Sequence, residues 1–174
     1  GSLHVDGQDL CHLAENARRR FRISRVGMIF QRFELLDYLN VFENILLPYY
    51  INSGLRIDKG AKSRASELME TVGLTGKGKR NIDSLSEGER QRLSICRALV
   101  TQPAMLLADE PTANLDSKTS HEVMQVMLKM NKELNTTFVF STHDSLVMDY
   151  ASRLLGLHDG LITKDQKRVG KEVD

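Results

Sequence analysis

The chain has 174 residues, with 24 Lys and Arg against 23 Asp and Glu. That length suits one domain with a sizeable core and is too short for two full-sized ones. The near-balance of charge argues against a general polyanion binder, no apolar run approaches the roughly 18 residues of a membrane span, and the first residues do not read as a signal peptide.

In chain order, Leu3 to Val5 reads as a short strand turned by Asp6-Gly7, followed by a polar, Arg-rich helix to about Arg20. Arg18, Arg19, Arg20, Arg22 and Arg25 read as a solvated helix end, because no aromatic platform for nucleic-acid bases accompanies them. Arg25 to Phe30 is apolar and predicts a buried strand. Val41 to Ser53 and Lys59 to Val72 have helical pattern, with Pro48 expected to kink or break the first. Gly73 to Asn81 is a Gly/Lys-rich loop, and Ser84 to Val100 reads as a helix with its start. Ala104 to Ala108 is an apolar strand. Ser117 to Leu134 predicts a helix with Val123, Met127, Met130 and Leu134 on one face. Thr136 to Ser141 is another strand, a short helix follows Asp144, and Arg153 to Leu157 and Leu161 to Thr163 are strands about Asp159-Gly160. Strands alternating with helices predict an α/β fold. Roughly residues 33–99 form a helical subdomain, with 1–32 and 100–174 as the α/β core. Cys11 and Cys96 fit neither a CxxC pair nor a disulfide framework and read as reduced thiols.

Four stretches carry chemistry. In AMLLADEP, Ala104 to Pro111, an apolar strand ends in two acids, and ligands of open α/β sheets sit beyond the carboxyl ends of strands. Asp109 there can hold Mg²⁺ and Glu110 can orient or deprotonate a water; the plainer alternative is an exposed acidic turn. In SLSEGERQRLSICRAL, Ser86 and Glu89 have capping-box spacing. The same helix start, with Gly88, offers free N–H groups to an anion. His143 follows the apolar strand FVFS, either as a surface residue or as part of a site with Asp109 and Glu110. Ser141, His143 and Asp144 do not read as a triad, since close neighbours rarely converge as nucleophile, base and orienter. Gln31 ends the strand VGMIF, where its amide can meet a metal, a water or solvent alone.

Together these stretches resemble the ABC ATPase family. LSEGERQR, Leu85 to Arg92, is similar to the signature motif, AMLLADEP to the Walker B strand, and ANLD, Ala113 to Asp116, to the D-loop. Gln31 matches the Q-loop and His143 the switch histidine. The resemblance implies a P-loop NTPase-type, mostly parallel sheet with an inserted helical subdomain. It implies two subunits paired head to tail around two ATP molecules, with Ser86 and Gly88 of one capping the γ-phosphate held by the other. Asp109 and Gln31 would serve Mg²⁺, Glu110 the attacking water and His143 the γ-phosphate. Gln31 would also link the site to a transmembrane permease, and Asp116 would lie at the dimer seam. The implied protein is a peripheral ATPase at the cytoplasmic face of a membrane, with no nucleic-acid partner. The stretch FQRFELLDYLNVFENILLP, Phe30 to Pro48, is similar to the lipoprotein-release, macrolide-efflux and cell-division branch.

Two departures from the family pattern stand out. Glu87 and Glu89 replace the signature's second Gly and its Gln. The Walker A pattern GxxxxGK[ST], expected before the first strand, does not occur, so the chain reads as N-terminally truncated and inactive alone. Gly73 to Arg80 matches that pattern until Arg80, which stands where a hydroxyl should reach Mg²⁺, and it follows a helix rather than a strand. The rival class is an ABC ATPase acting in DNA repair or translation, or an ATP switch in cell division. DNA-repair members carry long coiled-coil or zinc insertions, and this sequence holds neither.

Overall fold

The computed structural model describes residues 1–52 and 54–168. Strands β1 (His4–Val5) and β2 (Gln8–Asp9) form a hairpin. Its turn residues Asp6 and Gly7 both have positive φ, 51° and 73°. Two-residue hairpin turns need this conformation to match the strand twist. Helix α1 (Glu15–Arg25) runs past the Arg20 expected as its end, straight into strand β3 (Val26–Ile29). Phe21 anchors it to the core while its arginines stay solvated, and Arg25 pairs with Asp6 at 3.3 Å.

Among the described residues three α-helices and a 3-10 turn (Ile82–Ser84) stand between β3 and strand β4 (Met105–Asp109), the helices being α2 (Val41–Ile51), α3 (Lys59–Thr71) and α4 (Glu87–Leu99). Each begins with a side-chain cap, from Asn40, Asp58 and Ser86 respectively. Such caps satisfy N–H groups that the helix itself cannot. Of the kink or break expected at Pro48, the break does not occur, because α2 continues through it to Ile51. Proline forfeits the hydrogen bond to the carbonyl four residues back. Burial of Val41, Ile45, Leu46 and Tyr49, with the Tyr49 hydroxyl donating to the Val100 carbonyl at 3.0 Å, outweighs that loss.

Helix α5 (Ser117–Leu134), strand β5 (Thr137–Ser141), helix α6 (Ser145–Tyr150) and the hairpin of β6 (Arg153–His158) with β7 (Leu161–Lys167) are the remaining elements of the described residues. The apolar face of α5 is Val123, Met124, Met127 and Met130. Leu134, expected on that face, is 37 % exposed at the helix end. Strands β3, β4 and β5 form a parallel sheet in that order, with Ile29 opposite Ala108 and Asp109 opposite Ser141. One face of this sheet, with Gly27, Ile29, Leu106 and Ala108, packs into the core shared with α4 and α5. The other carries Met28 and Val139, 40 % and 46 % exposed, so β3 is buried on one face rather than both.

Arg97 joins the helical segment to the end of β3. Its guanidinium is nearly buried and donates to the main-chain carbonyls of Phe33, at 2.6 Å, and Glu34. Burial pulls its pKa down from the ordinary arginine value. The two bonds keep the charge tolerable in a poorly solvating setting. Arg97→Leu strands both carbonyls and is expected to lower folding stability by about 2 kcal/mol. An unchanged urea midpoint would refute that role.

Candidate functional site at the carboxyl ends of the parallel strands

Because β3, β4 and β5 run parallel, their carboxyl ends share one edge. Asp109 is the last residue of β4, with Glu110 after it; Gln31 follows β3, and His143 follows β5. The sheet thus brings together four residues spread over more than a hundred positions of sequence.

Glu110 has φ 44°, in the left-handed region that side-chain-bearing residues rarely adopt. Its N–H donates to the Ser141 carbonyl at 2.9 Å, tying the turn to the adjacent strand. Holding a non-glycine residue there costs on the order of 1–3 kcal/mol, a strain typical of functional positions. The Glu110 side chain turns to the segment after β5. Its Oε1 lies 2.6 Å from His143 Nδ1 and accepts the His143 N–H at 3.2 Å, and its Oε2 accepts the Thr142 hydroxyl at 3.2 Å. An ionised carboxylate only accepts, so Nδ1 carries the proton and Nε2 is left for another group. The Glu110 side chain is 18 % exposed and that of His143 88 %.

Thr142 also accepts the Asp144 N–H at 3.0 Å, and Asp144 accepts the Thr112 hydroxyl at 2.9 Å. This closes a polar ring between the β4 and β5 ends. Asn114 donates to the Gln31 carbonyl at 2.9 Å, placing the 113–116 turn against the β3 end. Asp116 caps α5 by accepting the N–H groups of Lys118 and Thr119, and it takes the Thr119 hydroxyl at 2.6 Å. These donors, the Thr119 hydroxyl first, hold the Asp116 carboxyl below its usual pKa.

Ser86 and Gly88 belong to a different element, at the start of α4. The capping box expected there is present: Ser86 Oγ accepts the Glu89 N–H at 3.3 Å, and the Ser86 N–H donates to Glu89 Oε2 at 2.8 Å. Among the described residues Ser86 makes no hydrogen bond to Asp109, Glu110 or His143. Gly88 is buried, and a Cβ there would lie 2.5 Å from Thr119 Cγ2. Since Asp116 fixes the Thr119 hydroxyl, glycine at 88 is what lets α4 approach the start of α5. One turn further, Gln91 is buried and donates to the Pro111 carbonyl at 2.7 Å.

The strand-end donors fit Mg²⁺. The Asp109 carboxylate is exposed and has no protein hydrogen-bond partner among the described residues. Mg²⁺ prefers oxygen ligands and is commonly held by one or two carboxylates together with water and substrate phosphates. Asp109 is a carboxylate of that kind, and Gln31 follows the neighbouring strand β3.

The ABC transporter family model matches residues 1–113 of the chain. The lipoprotein-releasing system ATP-binding protein LolD of Coxiella burnetii is 38 % identical over 168 residues, covering 97 % of this chain and 72 % of the relative. This chain belongs to the ABC transporter family. It is an ATP-binding subunit type, of the branch expected from its sequence. The macrolide export ATP-binding/permease protein MacB of Syntrophobacter fumaroxidans is 37 % identical over 170 residues, 98 % of this chain and 24 % of that protein. A dimeric post-hydrolysis structure of the ATP-binding cassette MJ0796, bound to ADP and Pi, superposes with a TM-score of 0.80 at 32 % identity. It covers 98 % of this chain and 75 % of that one. The mostly parallel α/β core with helices is therefore that of an ABC ATPase.

Two residues beside the strand ends, Thr142 and Asn114, make contacts that the sequence alone does not assign. Both lie beside singled-out residues, and their neighbourhood was the available signal. Lys77 gave none. The loop 73–80 is a run of turns after α3, with Gly73 and Gly76 at positive φ. Its carbonyls at Gly78 and Arg80 accept the N–H groups of Phe42 and Val41, so it is occupied in holding α2.

Proposed function

We propose that this chain hydrolyses ATP and couples the reaction to transport across a membrane through a separate permease. The observation that carries the reading is the Glu110–His143 pair, set at the end of a parallel strand by a strained backbone. Glu110 orients the attacking water and accepts its proton, while its contact with Nδ1 aims Nε2 of His143 at the γ-phosphate. Asp109 and Gln31 hold Mg²⁺, which when bound supplies positive charge to the phosphate oxygens. Ser86 and Gly88 cap the γ-phosphate of ATP held by a second subunit paired head to tail, and Asp116 stands at the seam. The dimeric ADP-bound relative supports this pairing.

Residues 33–99 act as a helical subdomain against the core formed by 1–32 and 100–174. Beside the segment after Gln31, α2 exposes Tyr50, and the preceding loop exposes Tyr38, 61 % and 78 % respectively. With Leu36, Leu39 and Leu47 they line an apolar groove that supports docking of the permease. The protein works at the cytoplasmic face of the membrane; among the described residues no helix is long and apolar enough to cross it.

The test is His143→Ala in the full-length subunit assembled with its permease. ATP turnover is expected to fall about 100-fold with ATP binding retained, the loss typical of removing a group that acts in proton transfer or charge stabilisation. Wild-type turnover would return His143 to the status of a surface residue.

A further inference from the structure

Helix α4 opens with two acids in its first turn, Glu87 and Glu89. An acid at this position suits the helix dipole but opposes a second anion brought to the same N–H groups. Glu87 is exposed and screened by water, whereas Glu89 is half-buried and committed to the Ser86 cap through Oε2. Its other oxygen, Oε1, takes the ammonium of Lys77.

Lys77 comes from the turn after α3, twelve residues earlier, and that turn is held in place. The Lys77 N–H donates to the Leu74 carbonyl at 3.1 Å, its own carbonyl takes the Arg80 N–H at 2.9 Å, and Gly78 takes the Phe42 N–H at 2.9 Å. The side chains of Lys77 and Glu89 are only 27 % and 15 % exposed. A pair so sheltered is screened less than one on the open surface. Lys77, ahead of the Ser86 N–H, also holds the Glu89 carboxyl below its ordinary pKa.

We infer that Lys77 is a positioning residue for the phosphate-capping edge: by neutralising Glu89 and holding it on the Ser86 N–H, it keeps the start of α4 able to receive the γ-phosphate of the partner subunit's ATP. The inference rests on the reading that Ser86 and Gly88 face that phosphate. It explains how an acid can replace the uncharged amide of the family's signature without expelling the nucleotide. Glu89 provides the cap geometry, and Lys77 removes the charge.

The experiment uses the full-length subunit with its permease, measuring ATPase rate against ATP concentration. Lys77→Met is expected to raise the KM for ATP about tenfold, the effect of uncovering one half-buried charge, with kcat changed less than about twofold. Lys77→Arg should restore the wild-type KM. Lys77→Met combined with Glu89→Gln should also restore it, since a neutral amide needs no cation. That recovery separates a charge effect from a merely structural one. Circular-dichroism melts of each variant check that the fold is intact. An unchanged KM in Lys77→Met, or a double variant no better than the single, overturns the inference. Ser86→Phe is the control for the underlying reading: if it leaves ATP-dependent subunit pairing unaffected, the capping role of Ser86 itself falls, whatever Lys77 does.

Discussion

Glu110→Gln in the full-length protein is expected to cut ATP turnover by about 100-fold or more while ATP binding persists, the scale of losing a general base. Glutamine has the same shape and the same backbone demands, so the left-handed turn at φ 44° and its bond to Ser141 should survive. Its amide oxygen can still accept from His143 Nδ1. The charge that stabilises the histidine and the basicity that takes a proton from water are both lost. A variant that binds ATP and cannot discharge it should accumulate as the ATP-bound pair of subunits. Single-turnover ATPase assays beside size-exclusion chromatography with ATP measure both effects. Normal turnover would remove Glu110 from the chemistry.

Gly27→Val is expected to destabilise the protein by about 3 kcal/mol or more, at or beyond the upper end for overpacked cores. A Cβ at Gly27 would overlap the main-chain oxygen of Ala98 and lie 3.2 Å from Pro103 Cγ. Neither neighbour can swing aside. Ala98 O belongs to helix α4, and the Ala104 N–H, just after Pro103, is bonded to the Arg25 carbonyl. Relief requires moving α4 off the sheet, which opens voids around Leu99 and Leu106, both fully buried. The measurement is the urea midpoint, with Gly27→Ala as the milder step. A midpoint within error of wild type for both would show that α4 and β3 are not in intimate contact.

Local signals made much of this fold readable. The Ser86 and Glu89 spacing announced a helix start, and the Ser117 to Leu134 periodicity gave both ends of α5. The acids after an apolar run marked a strand end, because few other settings put Asp109 and Glu110 directly behind Leu106, Leu107 and Ala108. What could not be read depends on partners far apart in sequence. The Glu110–His143 contact follows from the pairing of Asp109 with Ser141, a register set by sheet packing rather than by either segment. The positive φ of Glu110 leaves no mark in composition, since glutamate is not a turn residue. Pro48 misled because its local cost is real, whereas the burial of Ile45 and Tyr49 that offsets it belongs to contacts with other elements. Periodicity put Leu134 on a face with Met127 and Met130 and could not say that the core stops before it.

The closeness of Gly27 to Ala98 also has a mechanical consequence. Helix α4 is a stiff rod of 13 residues pressed against the sheet near its carboxyl end. Ser86 stands at the far tip, about 18 Å from that contact at 1.5 Å per residue. Arg97, gripping the Phe33 and Glu34 carbonyls, sits beside it. The rod is pinned toward its other end as well, since Gly88 packs on Thr119 and Gln91 donates to the Pro111 carbonyl. A strut held at both ends fixes the spacing between the Ser86 tip and the segment behind Gln31.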